Sequence, residues 1–238
     1  MGLQKTWDAC EQVLFGHSSS VNAVVFSPDG HHVVLSSSWD KTVHIWNVAT
    51  GESEAELRGH SDAVHYSVVF SPDGSHILSG SDDKTMCIWN VVTFKSEAEL
   101  KGHSDRVMSV AFSPDGGHVV SGSAASDGTV CIWNVVTGES KAELKGHSDI
   151  VNSVVFSPDG KHVLSGSDDR TIHIWNVATC ESVAELKGHS YGVTSVIFSP
   201  DGSHIVSGSA DSTVCIWNVV TGESEVELKG HLDGVHSV

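Results

Sequence analysis

At 238 residues the chain is long enough for one large all-β domain or two small ones, and its 30 acids against 13 bases give a formal charge of −17. That charge argues against a nucleic-acid binder, which needs a basic surface to meet phosphates. No apolar stretch reaches the roughly 18 residues of a membrane span, and the opening "MGLQKTWDACEQ" lacks the apolar core of a secretion signal, so a cytosolic protein without a membrane partner is expected.

In chain order, "KTWDACEQVLFGH" reads as one strand end followed by a strand, together covering residues 5–15. The pair Gly-His then recurs at His17, His60, His103, His147, His189 and His231. The spacing is nearly constant and falls in the range of roughly 40 to 45 residues that signals a repeat protein. Five full units run over about 16–58, 59–101, 102–145, 146–187 and 188–229, and 230–238 begins a sixth. The residues that lengthen the first three units are expected near His65 and Tyr66, at "GHHVVL" and in "SGSAASDG", in turns or strand edges where insertion disturbs least.

The fourth unit shows the elements most simply. "VNSVVFS" is apolar on both alternating faces, as suits a strand covered on both sides. "SPDG" follows, where Pro158 sets φ at the first turn position and Gly160 is free to take positive φ; all five prolines of the chain hold this position. "HVLSGS", a tight turn, "TIHIWNV" and "SVAELK" complete four strands without helical spacing, so each unit is a four-stranded antiparallel sheet. Beyond the third strand, Gly51, Gly138 and Gly222 are replaced by Phe94 and Cys180, so that turn is not expected to need positive φ in every unit.

The chain resembles the WD40 family of β-propellers, on its period and its Gly-His…Trp pattern over nearly its whole length. The resemblance implies a single domain over 1–238, with blades set radially about a channel and the sequence repeat offset from the blade by one strand. The ring is either six-bladed, closed by the N-terminal strand against the partial sixth unit, or incomplete. Unpaired edges are sticky, so association of two copies through an incomplete ring is also expected.

The family's hydrogen-bond network maps onto His17, Ser36, Asp40 and Trp46; His60, Ser79, Asp83 and Trp89; His103, Ser121 or Ser123, Asp127 and Trp133; His147, Ser165, Asp169 and Trp175; and His189, Ser207, Asp211 and Trp217. The chemistry is sound without the family: indole N–H only donates, carboxylate only accepts, and His and Ser bridge them. A Ser-His-Asp set also suggests hydrolysis, but five identical sets in register with a Trp read as five braces rather than five active sites. The residue after each Trp is Asn, where the family has Asp; Asn176 can make the same short contacts to the turn backbone.

Metal and cofactor sites are not expected. The five cysteines include no Cys-x-x-Cys pair, and Cys87, Cys131 and Cys215 recur in register two residues before the Trp, one per unit. The "SPDG" aspartates, Asp29, Asp73, Asp115, Asp159 and Asp201, hold a position that favours Asp for backbone reasons rather than for calcium. No phosphate loop, dinucleotide fingerprint or zinc-protease helix is present, and the expectation is a non-enzyme.

Differences between the copies locate the candidate function. They fall after Gly-His-Ser, two residues further on, and before the turn Asp, positions that a WD40-like blade gathers at one end of the propeller. The expected partner surface is Trp39, His65, Tyr66, Asp82, Arg106, Met108, Ile150, Asn152, Asp168, Tyr191 and Thr194, in which Trp, Tyr, Arg and Met are types enriched at interface centres. The partner is a protein or peptide, and the chain a scaffold. The competing readings are a small-ligand binder or propeller enzyme at the channel mouth, a structural fragment with no partner, and drift at exposed sites. High identity between copies, as in "GHSDIVNSVVFSPDGKHVLSGSDDRTIHIWNVATCES", is similar to the arrays of fungal NACHT- and STAND-type proteins, which implies a sensing or non-self recognition module.

Overall fold

A computed structural model describes residues 13–37, 39–64, 67–124 and 128–238, without the side chains of residues 33–37. The described residues form twenty strands in five four-stranded antiparallel sheets. The first sheet is β1 (Val21–Phe26), β2 (His32–Ser37), β3 (Thr42–Asn47) and β4 (Ser53–Arg58); the second is β5 (Val68–Phe70), β6 (His76–Gly80), β7 (Thr85–Asn90) and β8 (Ser96–Lys101). The third is β9 (Val107–Phe112), β10 (His118–Ser123), β11 (Val130–Asn134) and β12 (Ser140–Leu144); the fourth is β13 (Val151–Phe156), β14 (His162–Ser167), β15 (Thr171–Asn176) and β16 (Ser182–Lys187). The fifth is β17 (Val193–Phe198), β18 (His204–Ser209), β19 (Thr213–Asn218) and β20 (Ser224–Lys229). Strands in every sheet follow chain order, and successive sheets pack face to face as blades.

The core lies between blades. Leu78, Met86, Ile88 and Leu100 on the leading face of the second blade meet Val107, Val110, Val119, Cys131 and Trp133 on the trailing face of the third. The other three junctions repeat this arrangement, for example Leu164, Ile172, Ile174 and Leu186 against Val193, Val196, Phe198, Ile205 and Trp217. Contact is close enough to dictate a glycine. A Cβ on Gly122 would meet Val151 Cγ1 of the next blade at 2.6 Å, and one on Gly166 would meet Val193 Cγ1 at 2.7 Å.

Three expectations are corrected. In the first blade the ladder pairs Leu35 with His44 and Ser36 with Val43, whereas in the fourth it pairs Ser165 with His173 and Gly166 with Ile172. Ser36 therefore stands at the glycine position, and Leu35 holds the place assigned to the network serine. The extra residue of this unit lies past Ser37, not at "GHHVVL", because pairing runs unbroken from the "SPDG" turn and the surplus is cheapest where no ladder bond is lost.

Second, positive φ persists in the turn after the third strand: Phe94 adopts 57° and Cys180 adopts 59°, close to Gly51 at 69°. The bond of the Phe94 N–H to the Asn90 carbonyl (2.9 Å), repeated by Cys180 to Asn176 (2.8 Å), closes the turn only in that conformation, so these side chains bear the left-handed strain. Third, residues 13–17 carry no strand, and 230–238 are likewise without one; residues 5–12 of the expected N-terminal strand lie outside the described residues. Val235 nevertheless donates its N–H to Ser209 O at 2.9 Å, as Val107 does to Ser81 O at 3.1 Å, so the last segment lies where a sixth blade's first strand would begin.

Candidate interaction site

Beneath the site, each blade is braced by one polar chain. In the second blade Trp89 Nε1–H donates to Ser79 Oγ at 2.8 Å, His60 Nε2 is 2.8 Å from the same oxygen, and His60 Nδ1 is 3.0 Å from Asp83 Oδ2. Carboxylate only accepts, so Nδ1 carries the ring proton; with the imidazole neutral, the Ser79 hydroxyl donates to Nε2 and its oxygen accepts from Trp89. Asp83 also accepts from the backbone N–H of Ser61 (2.8 Å) and Thr85 (3.0 Å) and from the Thr85 hydroxyl (2.6 Å). Burial pushes the Asp83 carboxyl up, but the hydrogen bonds from His60 and Thr85 outweigh it and hold the group well below the usual carboxylate range.

The fourth and fifth blades repeat the chain, with Trp175 to Ser165 and Trp217 to Ser207 both at 2.8 Å. His147 and His189 each lie 2.7 Å from their serines, and 2.8 and 3.0 Å from Asp169 and Asp211. In the third, Ser121 rather than Ser123 joins His103 (2.7 Å) and Trp133 (2.8 Å), while Asp127 lies outside the described residues. In the first, His17 meets Asp40 at 2.7 Å, but the shifted register leaves buried Trp46 Nε1 without a partner among the described residues.

A serine side chain with both hydrogen-bonding roles occupied by Trp and His inside a sheet presents no nucleophile to solvent; Ser79, Ser121, Ser165 and Ser207 are wholly buried. Among the described residues no three His, Cys, Asp or Glu side chains come together as metal ligands, and Cys87, Cys131 and Cys215 are buried in different blades. Burial, with Asp83 and Glu99 nearby, pushes the Cys87 thiol up to about 12.

The variable positions separate into a channel and a rim. Four first strands and the C-terminal segment line a central cavity of about 710 Å³, walled by Asn22, Met108, Asn152, Thr194 and His236, with Ser109, Ser153, Ser195 and Ser237 beside them. The serines also join blades: Ser109 Oγ accepts the Val154 N–H at 3.0 Å and Ser153 Oγ that of Val196 at 3.2 Å. Asn152 Nδ2 donates to Asp168 Oδ1 at 2.7 Å and Val193 O at 3.0 Å, and the Thr194 hydroxyl donates to Gly208 O at 3.0 Å.

On the rim, the loop before each first strand is tied to the turn after the second: Asp82 N–H to Ala63 O, Ala124 N–H to Arg106 O, Asp168 N–H to Ile150 O and Ala210 N–H to Gly192 O, each 2.9 Å. These ties bring Arg106, Ile150, Asp82 and Asp168 to the channel end. Trp39 is 74% exposed, Tyr191 is 63% exposed and Arg106 is exposed, whereas Asp82, Ile150 and Asp168 are half-buried. His65 and Tyr66 lie outside the described residues.

Residues 66–233 match the family model described as the echinoderm microtubule-associated protein second beta-propeller, and residues 8–47 match the WD domain, G-beta repeat. The chain belongs to the WD40 β-propellers. Among WD40 relatives, vegetative incompatibility protein HET-E-1 of Podospora anserina is 51% identical over 49 residues, 21% of this chain and 4% of that protein. Small ribosomal subunit protein RACK1 of Drosophila melanogaster is 45% identical over 40 residues, 17% of this chain and 12% of its own. The matches thus span a small part of either relative's length.

The Asn after each Trp in these WD40 blades makes the turn contacts expected of Asn176, and in three blades it extends to a Glu and a His that sequence reasoning missed. The Asn after each Trp accepts two turn N–H groups, as Asn90 Oδ1 does from Val92 and Thr93, both at 2.9 Å. Its amide donates to a glutamate on the fourth strand, Asn90 to Glu97 at 2.9 Å, and His76 Nε2 lies 2.9 Å from the other Glu97 oxygen. The first and fifth blades repeat the trio with Glu54 and His32, and Glu225 and His204. Lys141 and Val183 stand in place of the Glu in the other two, yet His118, His162, Asn134 and Asn176 are unchanged there, so no covariation inside the chain signals the contact.

Proposed function

We propose that this propeller is a non-catalytic interaction module that binds a protein or peptide on the rim around the channel mouth. The observation that carries the reading is the exposure of Trp39, Tyr191 and Arg106 at the end where the loops converge, while the brace serines below them, Ser79, Ser121, Ser165 and Ser207, are buried and alike. Large aromatic and guanidinium groups give much contact area for little ordering cost, which suits them to be anchors. We also propose that the module serves as the recognition part of a larger signalling or non-self sensing protein in the cytosol; the likeness to a vegetative incompatibility protein supports the sensing role, and the free thiols support the location.

Pull-down with the wild type against a Trp39→Ala, Arg106→Ala double variant tests the rim. The partner bound by the wild type is expected to be lost by the double variant while thermal stability holds; equal recovery of every partner would overturn the reading. The channel favours a second reading, a small polar ligand held by Asn152, Thr194 and His236, because its walls present amide, hydroxyl and imidazole groups. A His236→Leu variant distinguishes them: it should impair a channel ligand and spare a rim-bound protein.

A further inference from the structure

In the first, second and fifth blades a glutamate carboxylate sits between an Asn and the His that is its ladder partner. The amide donates to one oxygen at 2.8 to 2.9 Å, and His Nε2 lies 2.9 to 3.2 Å from the other. The His opens the second strand and the Asn closes the third, so each pair lies at the end of its blade away from the rim loops. The third and fourth blades keep the pair in the same register, His118 opposite Asn134 and His162 opposite Asn176. They also keep the bulge in the fourth strand, where Lys141 and Val183 fill the unpaired position that Glu97 fills in the second blade. Among the described residues no hydrogen bond reaches the Asn134 or Asn176 amide N–H or the His118 or His162 ring.

These unused donors are held in place. Asn134 Oδ1 accepts the N–H of Val136 (3.0 Å) and Thr137 (2.9 Å), and Asn176 Oδ1 those of Ala178 and Thr179 (both 2.9 Å). The same two turn bonds orient Asn90 toward Glu97, and a donor already fixed loses little freedom on binding.

We propose that the His118–Asn134 and His162–Asn176 pairs are open carboxylate receptors, which bind glutamate side chains of an acidic protein segment laid across the third and fourth blades. The chain itself shows three times what such a pair holds. Lys141 adds a cation at the first receptor, and its Nζ donates to Val177 O of the fourth blade at 3.1 Å, so the two receptors adjoin. Val136 and Val183, 90% and 58% exposed, lie beside them, and this open apolar margin suits a polypeptide better than an enclosed small molecule. The charge of −17 opposes an acidic partner at long range, but physiological salt screens that repulsion beyond about 8 Å, whereas charge-assisted bonds act in contact. This surface lies at the opposite end of the blades from the rim and does not depend on the rim's partner.

NMR of the full chain, titrated with a capped Ala-Glu-Ala-Glu-Ala peptide, tests the proposal. The side-chain amide signals of Asn134 and Asn176 should shift while those of Asn47, Asn90 and Asn218 stay, and the Gln counterpart of the peptide should move none. Lys141→Glu and Val183→Glu restore the residue of the filled blades, so folding is preserved. Each should weaken peptide binding at its own receptor roughly tenfold or more, because a glutamate within the chain competes at high effective concentration. Glu97→Val should do the reverse and make the Asn90 signal respond. Asn134 and Asn176 signals that stay still, that move equally with the Gln peptide or that still move after the restoring substitutions, or a silent Asn90 in Glu97→Val, would each overturn the proposal. Acetate binding as tightly as the peptide would overturn the assignment to a protein segment.

Discussion

Ser79→Ala isolates what a brace contributes. Ser79 is wholly buried, and its oxygen joins Trp89 Nε1 and His60 Nε2, both at 2.8 Å. Alanine leaves nearly the same volume, so the cavity cost is small, but an indole donor and an imidazole acceptor lose their partners in a site closed to water. Each orphaned buried group costs about 1 to 3 kcal/mol, so the expected loss for the two is about 2 to 6 kcal/mol. That is a large fraction of the ~5 to 15 kcal/mol typical of a folded domain, yet the fold should survive, since the first blade already holds Trp46 without a described partner. Urea unfolding followed by tryptophan fluorescence reads the loss as a lower midpoint at unchanged slope. Ser165→Ala should cost the same within about 1 kcal/mol, given equal geometry at 2.7 and 2.8 Å. Combining Ser79→Ala with Trp89→Phe should cost about 1 kcal/mol less than the sum, because the second change removes a donor already orphaned. Losses below about 0.5 kcal/mol in both serine variants would refute the bracing argument.

Three other outcomes follow from the geometry. His173 stacks on Trp175 at 4.9 Å beside His147 at 4.4 Å, and burial first, then the neighbouring His147, push its pKa down to about 4. The unfolded chain therefore takes up a proton near pH 6.5 that the folded one refuses until about 4, so stability is full above that window and falls by about 1 to 2 kcal/mol from pH 7 to 5; His173→Cys, the residue of three other blades, should flatten this part of a urea midpoint against pH curve. Gly122→Ala should destabilise by about 1 to 3 kcal/mol through its clash with Val151, and a second change, Val151→Ala, should recover part of that loss in thermal unfolding. Asn90→Asp keeps both turn acceptors but sets two carboxylates together at Glu97, so calorimetry should show a loss of about 0.5 to 1 kcal/mol that salt relieves, while Asn176→Asp, facing Val183 in sequence register, should be near neutral.

The five full units, their strand order and most braces were legible because they repeat: a Trp at one fixed spacing before each of the last five Gly-His pairs leaves little freedom for the elements between. The Ser36 assignment failed where the copies differ in length, since spacing counted along the chain does not say on which side of a strand an extra residue is absorbed. The turn at Phe94 and Cys180 misled for a related reason. Loss of glycine looked like loss of positive φ, but the turn's hydrogen bond holds the conformation and the residue bears the strain.

Sequence alone determined the unit: alternating apolar residues, a proline-glycine turn and a donor-acceptor set are local or nearly local properties of a single repeat. Tertiary structure decided how units meet. Gly122 is glycine because Val151, on the first strand of the following blade, leaves no room for a Cβ, and Val24 and Leu228 are exposed because no described blade covers them. Identical sequence positions thus carry different burial at the middle and the ends of the array, which depends on neighbours in space that a repeat pattern does not encode.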